Sequence, residues 1–285
     1  MRVLICGHRA PSARGLGDLL TTRGWEVDYF SRGMPRRQGN LVEGEALALE
    51  SNQDLLPTYD AVVNFIVLKG LSVESNIAYA QQLVRFCNHR QVKSLVHISS
   101  VSVYPPDPEC IDERTAIAAR GVVRGAYSTL KSEVDHALLD AEKHFSMALV
   151  RPGLILDPSV DPPRAGIVRH AFAGVDVLLG DHQATLPLVH RSDIHLAIAQ
   201  ILGDESLAGV FLAVSPVATT KSSYARNVLG VRPWGLPRGL SLFAAKVLRQ
   251  VGLFSDAQLR QVEGLFRRSK YDPTLTQQRL GMEFR

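Results

Sequence analysis

Cysteine is scarce in this sequence: Cys6, Cys87 and Cys110 are three in number and widely spaced. That excludes a disulfide framework and the paired spacing of a structural zinc site. No run of about 18 apolar residues is present, so no membrane-spanning helix is expected. The N-terminus has no basic lead, no long apolar stretch and no small-residue cleavage site, so it does not read as a secretory signal. Cys6 and Cys87 fall in apolar-patterned stretches, which fits a reducing, cytoplasmic setting. The nine histidines show no metal-ligand spacing; His190 and His195 are five apart, and no metal is expected. Concentrated charge is missing too. The net charge of +4 comes from scattered arginines, not from a basic tract interleaved with aromatics, so nucleic acid is not an expected partner. Small anionic ligands such as a phosphorylated cofactor account for local arginines equally well.

What the sequence does hold is alternation. Apolar residues make up 46% and charged residues 21%, enough for one large domain or a domain with a closely associated lobe. The short apolar run at 2–6 reads as a strand buried on both faces, and 26–30, 60–67, 94–99 and 146–150, with a weaker stretch at 41–43, read as further strands. Between them, 13–23, 73–88 and 125–144 have helical spacing. Strands alternating with helices predict an α/β fold: a doubly wound parallel sheet with helices on both faces. After Arg151-Pro152-Gly153 the texture changes, and Pro158, Pro162 and Pro163 crowd one loop. We place a dinucleotide-binding domain at 1–153 and a smaller C-terminal substrate-binding lobe at 154–285. The lobe interleaves with the sheet, because 185–190 and 209–214 look like late strands.

The first strand–turn–helix of such a sheet is the usual site for a dinucleotide pyrophosphate, where helix amides and the dipole favour an anion. Here the turn is Gly7-x-x-Ala10-x-x-Ala13. Ala10 puts a methyl where backbone is expected to approach pyrophosphate; Ala13 is a milder change at the helix–strand contact. Pro11 fixes φ near the helix start, where its missing N–H matters least. A degenerate turn that no longer binds nucleotide is the competing reading. About 20 residues on, an NAD site places an Asp or Glu for the ribose hydroxyls. This chain has Ser31 followed by Arg32, and a carboxylate there would repel a 2′-phosphate. Arg32, with Arg9 from the first turn, favours NADP over NAD; ordinary solvated charge is the plainer account of both.

The helical stretch 125–144 carries Tyr127 and Lys131. Residues four apart share a helix face, so phenol and ammonium serve one site. A nearby cation is expected to lower the tyrosine pKa and bring it towards acid/base use. Alone, the pair fits a surface helix with a half-buried tyrosine as well. Upstream, the strand at 94–99 runs into Ser100-Val101-Ser102-Val103-Tyr104, and a hydroxyl just past the C-terminal end of a parallel strand points into the ligand crevice.

Taken in order, these motifs resemble the extended short-chain dehydrogenase/reductase superfamily, the NAD-dependent epimerase/dehydratase branch. The resemblance covers most of the chain. It rests on the opening strand and turn, Asp60-Ala61-Val62-Val63-Asn64, Asn76, and the stretch from His97 to Tyr104. Then come Tyr127-x-x-x-Lys131, Arg151-Pro152-Gly153, the stretch from Leu188 to Asp193, and Gln278-Arg279-Leu280-Gly281. It implies a Rossmann-type fold, Tyr127 as acid/base and Ser100 as hydrogen-bond partner of a substrate oxygen. It implies Lys131 on the nicotinamide ribose, and Val67, Pro152 and Gly153 along the cofactor. Asp193 is expected to cap the following helix. Several positions depart from the pattern. Pro105 stands for a glycine, and Tyr79-Ala80 for Gly-Thr. Leu186 stands for the arginine that grips a sugar-nucleotide diphosphate, and Val101-Ser102 for the Asp-Glu of dehydratases. The expected function is an NAD(P)-dependent oxidoreductase, reducing a carbonyl or oxidising an alcohol of a small or mid-sized metabolite, with Ser102 and Leu186 as further substrate contacts. A sugar or nucleotide-sugar epimerase, and a non-catalytic NADP-binding sensor, are the alternatives. The stretch 240–254 is helix-like and largely apolar, followed by Arg267, Arg268 and Lys270. We read it as a lid, a packing helix or a subunit contact, a homodimer being one option, in preference to a membrane-surface helix.

Overall fold

In the computed structural model of the chain, a single eight-stranded sheet organises the molecule. The structure describes residues 1–285 apart from 48, 50–54, 106–107, 123–124, 165–166, 171–175, 236 and 267, and apart from the side chains of 257, 260 and 261. The sheet strands are β1 (Arg2–Cys6), β2 (Glu26–Arg32), β3 (Arg36–Gln38), β4 (Leu41–Gly44), β5 (Ala61–Asn64), β6 (Ser94–Ile98), β7 (Ser146–Pro152) and β8 (Gly209–Ala213). Their order is β8-β7-β6-β5-β1-β2-β4-β3. Every pairing is parallel except β3 with β4, which is antiparallel at the edge. The fold is a doubly wound α/β Rossmann-type sheet with a smaller lobe.

The apolar runs follow from burial on both faces. Val3 and Ile5 of β1 point into one core, while Leu4 and Cys6 point into the other. Val63, Val96 and Val150 join the first; Val62, Leu95 and Leu149 join the second. A period of two puts successive residues on opposite faces, so both must be apolar. Helices α1 (Leu16–Thr22) and α4 (Arg191–Gly203) cover the first face with Leu16, Leu20, Ile194 and Ile198. Helices α2 (Val73–His89) and α3 (Ala126–Asp140) cover the second with Leu83, Cys87, Val134 and Leu138.

Three expected elements differ. The helix expected at 13–23 is split: Pro11–Ala13 forms a 3₁₀ turn and α1 begins only at Leu16, after Gly15 at φ +90°. The stretch 125–144 ends as a helix at Asp140, because Ala141 turns extended and Lys143 Nζ takes the free carbonyls of Leu138, Leu139 and Ala141. The stretch 185–190 is two short strands separated by Pro187, neither in the main sheet: Leu186 pairs with Thr219, and Leu188–His190 pairs with Leu154–Leu156. The strand at 209–213 does enter the main sheet, beside β7.

The lobe is built from these short strands and three helices, α5 (Lys221–Asn227), α6 (Arg238–Gln250) and α7 (Asp256–Gly264), while α8 (Thr274–Leu280) returns to the main sheet, where Leu280 joins the first core and Thr276 Oγ1 accepts from the Leu212 amide of β8. The lobe core gathers Ile167, Val168, Leu178 and Tyr224. Among the described residues no helix is long and apolar enough to cross a membrane.

Candidate active site

The central strands β1 and β5 are neighbours, but the chain leaves them towards opposite faces, to α1 and α2. That divergence opens a crevice at their C-terminal ends. A cleft of about 1040 Å³ lies there. It is lined by Gly7, Arg9, Ala10, Ser31, Arg32 and Val67 at one end, and by Ser100, Tyr127, Lys131, Pro152 and Gly153 at the other. The structure thus brings together residues up to 146 positions apart in sequence. Three expected site residues do not line it. Ala13 is buried in the core beneath the turn. The Ser102 hydroxyl is buried without a partner, and Leu186 packs against the lobe core.

Gly7 has φ +82°, and a Cβ there would lie 2.9 Å from Ile66 Cγ1 and 3.0 Å from the Ile66 backbone nitrogen. The crossing of β1 past β5 therefore demands glycine. Ala10 is unstrained (φ −63°, ψ 137°), and its amide donates to the Gly7 carbonyl at 2.9 Å. The turn is further tied down by His195, whose Nε2 lies 2.8 Å from the Ser12 carbonyl. Close helix–strand packing, expected at position 13, falls instead to Gly17: a Cβ there would overlap the Tyr29 hydroxyl at 1.9 Å. Beyond Gly7, glycine is used at Gly15, for its left-handed backbone, and at Gly17, beside Tyr29.

At the end of β2, Ser31 is buried with an unpartnered hydroxyl, and it lines the cleft. Arg32 is exposed, with no carboxylate partner among the described residues. Arg9 reaches Glu43 at 3.1 Å, and Arg36 donates to the same carboxylate. Arg36, followed by Arg9, holds the Glu43 carboxyl below the usual range against the opposing effect of burial. Sequence reading missed Glu43 and Arg36, although Glu43 is the register partner of Ser31. It also missed Lys69 on the loop after β5, which lines the cleft. Asn76 clamps that loop: its amide group exchanges hydrogen bonds with the Leu68 backbone at 2.9 and 3.2 Å and donates to the Ser72 carbonyl. A charged residue just beyond a central parallel strand was the available signal for Lys69.

At the other end, Ser100 stands at the start of a 3₁₀ turn, and its Oγ accepts the Ser102 amide at 3.1 Å. Its own proton is left to donate elsewhere. Ser100 is also a hydrogen-bonding neighbour of the Tyr127 phenol. Tyr127 is 55% exposed and faces the cleft. Lys131, one turn on, is buried, and its Nζ donates to the Ile98 carbonyl at 2.7 Å. The expected lowering of the tyrosine pKa is not found. Desolvation by the cleft walls raises it, opposed by the Ser100 hydrogen bond. The burden falls on the lysine instead: burial pushes Lys131 down to about 8, with Asp135 opposing. A phenol, a hydroxyl and a cation on one wall can move a proton and polarise an oxygen.

The other end fits a dinucleotide. The Gly7 turn leaves its approach open, an orphaned hydroxyl waits at the ribose position of Ser31, and cations line the rim. Comparison with known proteins bears on the same point. Several solved structures share the fold. The human epimerase family protein SDR39U1, solved with NADPH, is 20% identical with a TM-score of 0.70, covering 100% of this chain and 95% of that one. MoeE5, solved with UDP-glucose and NAD, is 20% identical with a TM-score of 0.71, covering 100% and 94%. Gox2253 is 17% identical with a TM-score of 0.79, covering 99% and 93%. A search of curated proteins found no match. The model of one family matches residues 3–209, a stretch that takes in the turn at Gly7, the serine and tyrosine motifs and seven of the eight strands of the main sheet. On that match the chain belongs to the NAD dependent epimerase/dehydratase family.

Proposed function

We propose that the chain is an NADP(H)-preferring oxidoreductase that interconverts an alcohol and a carbonyl on a small or mid-sized metabolite. The observation that carries this reading is the convergence of Ser100, Tyr127 and Lys131 on one wall of a cleft whose far end holds Gly7, Ser31 and Arg32. When bound, the nicotinamide supplies or accepts the hydride. Val67, Pro152 and Gly153 hold its place along the cleft, and Lys131 takes the adjoining ribose. Ser100 turns the proton that it offers the Tyr127 phenol towards the substrate oxygen. Tyr127 gives a proton to that oxygen in reduction and takes one back in oxidation. The phenol is protonated at neutral pH even at its ordinary pKa, and desolvation raises it further, so proton donation to the substrate oxygen needs no prior protonation step. Arg32 and the Arg9–Arg36 pair make the rim cationic, and this supports a 2′-phosphate over a bare hydroxyl.

A sugar epimerase is the second reading, favoured by the family itself and by fold neighbours such as the UDP-N-acetylglucosamine 4-epimerase of Bacillus cereus. Leu186 weighs against it, since a leucine packed on the lobe core supplies no cation for a diphosphate.

Fluorescence titration tests the cofactor: NADPH binds more tightly than NADH. Absence of binding by either at submillimolar concentration removes the enzyme reading, and tighter NADH binding removes the roles given to Arg32 and Arg9. Tyr127→Phe lowers kcat by about 10²–10⁴-fold, the usual contribution of a positioned acid/base. Unchanged turnover in that variant refutes the assignment. Isomer exchange with no net cofactor turnover decides for the epimerase.

A further inference from the structure

Helix α6 turns Leu240, Phe243 and Val247 away from the molecule, while Leu242 and Leu248 are half-buried. Its buried residue is Ala245. Leu240, Phe243 and Val247, three and four apart, form a stripe on the opposite, solvent side. Phe243 is 67% exposed; Val251 and Leu253, just past the helix end, are exposed as well, as is Trp234 (76%), four residues before the helix. Exposed apolar residues scattered singly need no account, but a contiguous row marks a surface that meets something.

Charge narrows what it meets. Between Glu205 and Asp256 the sequence contains no carboxylate and six lysines and arginines. Arg249 is paired with Asp256 at 2.5 Å. Arg232, Arg238 and Lys246 are exposed and have no carboxylate partner among the described residues. Lys246 lies three residues after Phe243 and so borders the stripe. A second copy of this chain fits poorly: a two-fold contact through α6 repeats the same patch on both sides and brings the unpaired cations together. An amphipathic helix with Phe and Leu on one face, flanking Lys and Arg and a neighbouring Trp is suited to the boundary of an anionic bilayer. There the aromatic ring and apolar stripe enter the headgroup region, and each nearby cation adds attraction to the surface potential.

We propose that α6, with Trp234, docks this protein reversibly on an anionic lipid surface. This is a binding surface separate from the cleft and independent of the reaction assigned to it.

Co-sedimentation of the full chain with vesicles tests it, using phosphatidylcholine alone and phosphatidylcholine mixed with phosphatidylglycerol. Partitioning is expected to be about tenfold or more stronger on the anionic vesicles and to weaken at high salt. Phe243→Glu and Val247→Glu each abolish it, with circular dichroism and NADPH binding unchanged, because both side chains face solvent. Arg238→Glu combined with Lys246→Glu tests charge without touching the stripe, and lowers partitioning by about fivefold or more per reversed cation. Tryptophan emission shifts to the blue on anionic vesicles, and Trp234→Phe removes the shift. No sedimentation with either vesicle overturns the proposal, as does equal binding to both or binding that Phe243→Glu leaves intact. A stable dimer that Val247→Glu dissociates, without vesicle binding, assigns the stripe to a second copy and also overturns it.

Discussion

The two ends of the cleft are held in opposite ways. Behind Ser100, Tyr127 and Lys131 stands a buried charge network. Arg151 donates from Nε to Asp135 at 3.1 Å and from Nη1 to the Tyr104 hydroxyl at 3.1 Å, and its guanidinium lies 5.0 Å from the centre of the Tyr104 ring. All three side chains are almost wholly out of water. At the nucleotide end, exposed Arg9 and Arg36 share the one carboxylate of Glu43. Buried ions cost several kcal/mol each to desolvate and persist only when mutually paired, whereas solvated pairs are screened and weak. The fold therefore fixes the proton-moving wall with ions buried on both sides of the pair, while at the cofactor rim only Glu43 is out of water and its two cations stay exposed.

The strongest test of this contrast is Asp135→Ala. It leaves the Arg151 charge buried with only a phenol beside it, and such a loss costs about 3–5 kcal/mol. Asp135 follows Lys131 by one helical turn and opposes the fall of its pKa, so the variant also lowers the charged fraction of Lys131 at neutral pH. Chemical denaturation and turnover should both fall. A loss of stability comparable to that of a rim variant would erase the distinction between the two ends.

Gly7→Ala probes the one rigid point of the nucleotide end. The left-handed conformation costs a non-glycine residue about 1–3 kcal/mol, and the added Cβ meets Ile66. Ala10→Gly, by contrast, relieves no strain and is expected to change thermal stability little. Thermal melting of both, with NADPH titration, separates backbone demand from cofactor approach.

Lys131 joins stability to activity with opposite signs. Its folded pKa of about 8 lies below the ordinary 10.5. Between those values the unfolded chain binds more protons, so stability rises with pH across that window. Lys221, likewise lowered to about 8 by burial, contributes in the same sense. The ammonium that serves the ribose is present below pH 8 and lost above it, so reduction slows by about tenfold per pH unit beyond that point. A pH–rate profile set beside denaturation at matched pH shows the crossing; Lys131→Met should remove its share of the stability slope. An activity that climbs through pH 8 while stability also climbs would detach Lys131 from the reaction.

Much of this was legible in the chain because it is local. Strands buried on both faces write themselves as unbroken apolar runs, and Tyr127 and Lys131 meet through the pitch of one helix. Ser100 and Arg32 were legible from their distance past a strand. What was missed depends on contacts between distant segments. Gly17 leaves room for the Tyr29 hydroxyl across the β1–α1–β2 unit, a contact that no spacing rule contains. Glu43 captures Arg9 only because β4 lies beside β2. The raised Tyr127 pKa reflects cleft walls drawn from several elements, where helix spacing alone suggested a dominant lysine. The stretch 240–254 was legible as a largely apolar helix, but which of its apolar residues face inwards was not, because that depends on the lobe against which Ala245 packs.

The gentlest test is Glu43→Gln. The carboxylate neutralises one of the two guanidiniums it holds, and both guanidiniums are mostly exposed, so each contact is largely screened. Removing the charge leaves Arg9 and Arg36 with more positive potential to offer a 2′-phosphate. NADPH affinity is expected to rise by about two- to fivefold, with NADH affinity unchanged. The ratio of the two dissociation constants is the readout, since a general loosening of the site moves both together. A fall in the ratio carries the opposite meaning: Glu43 then acts mainly by holding the two guanidiniums in position. In that case the nucleotide end is prearranged after all, and its difference from the tyrosine wall is one of degree.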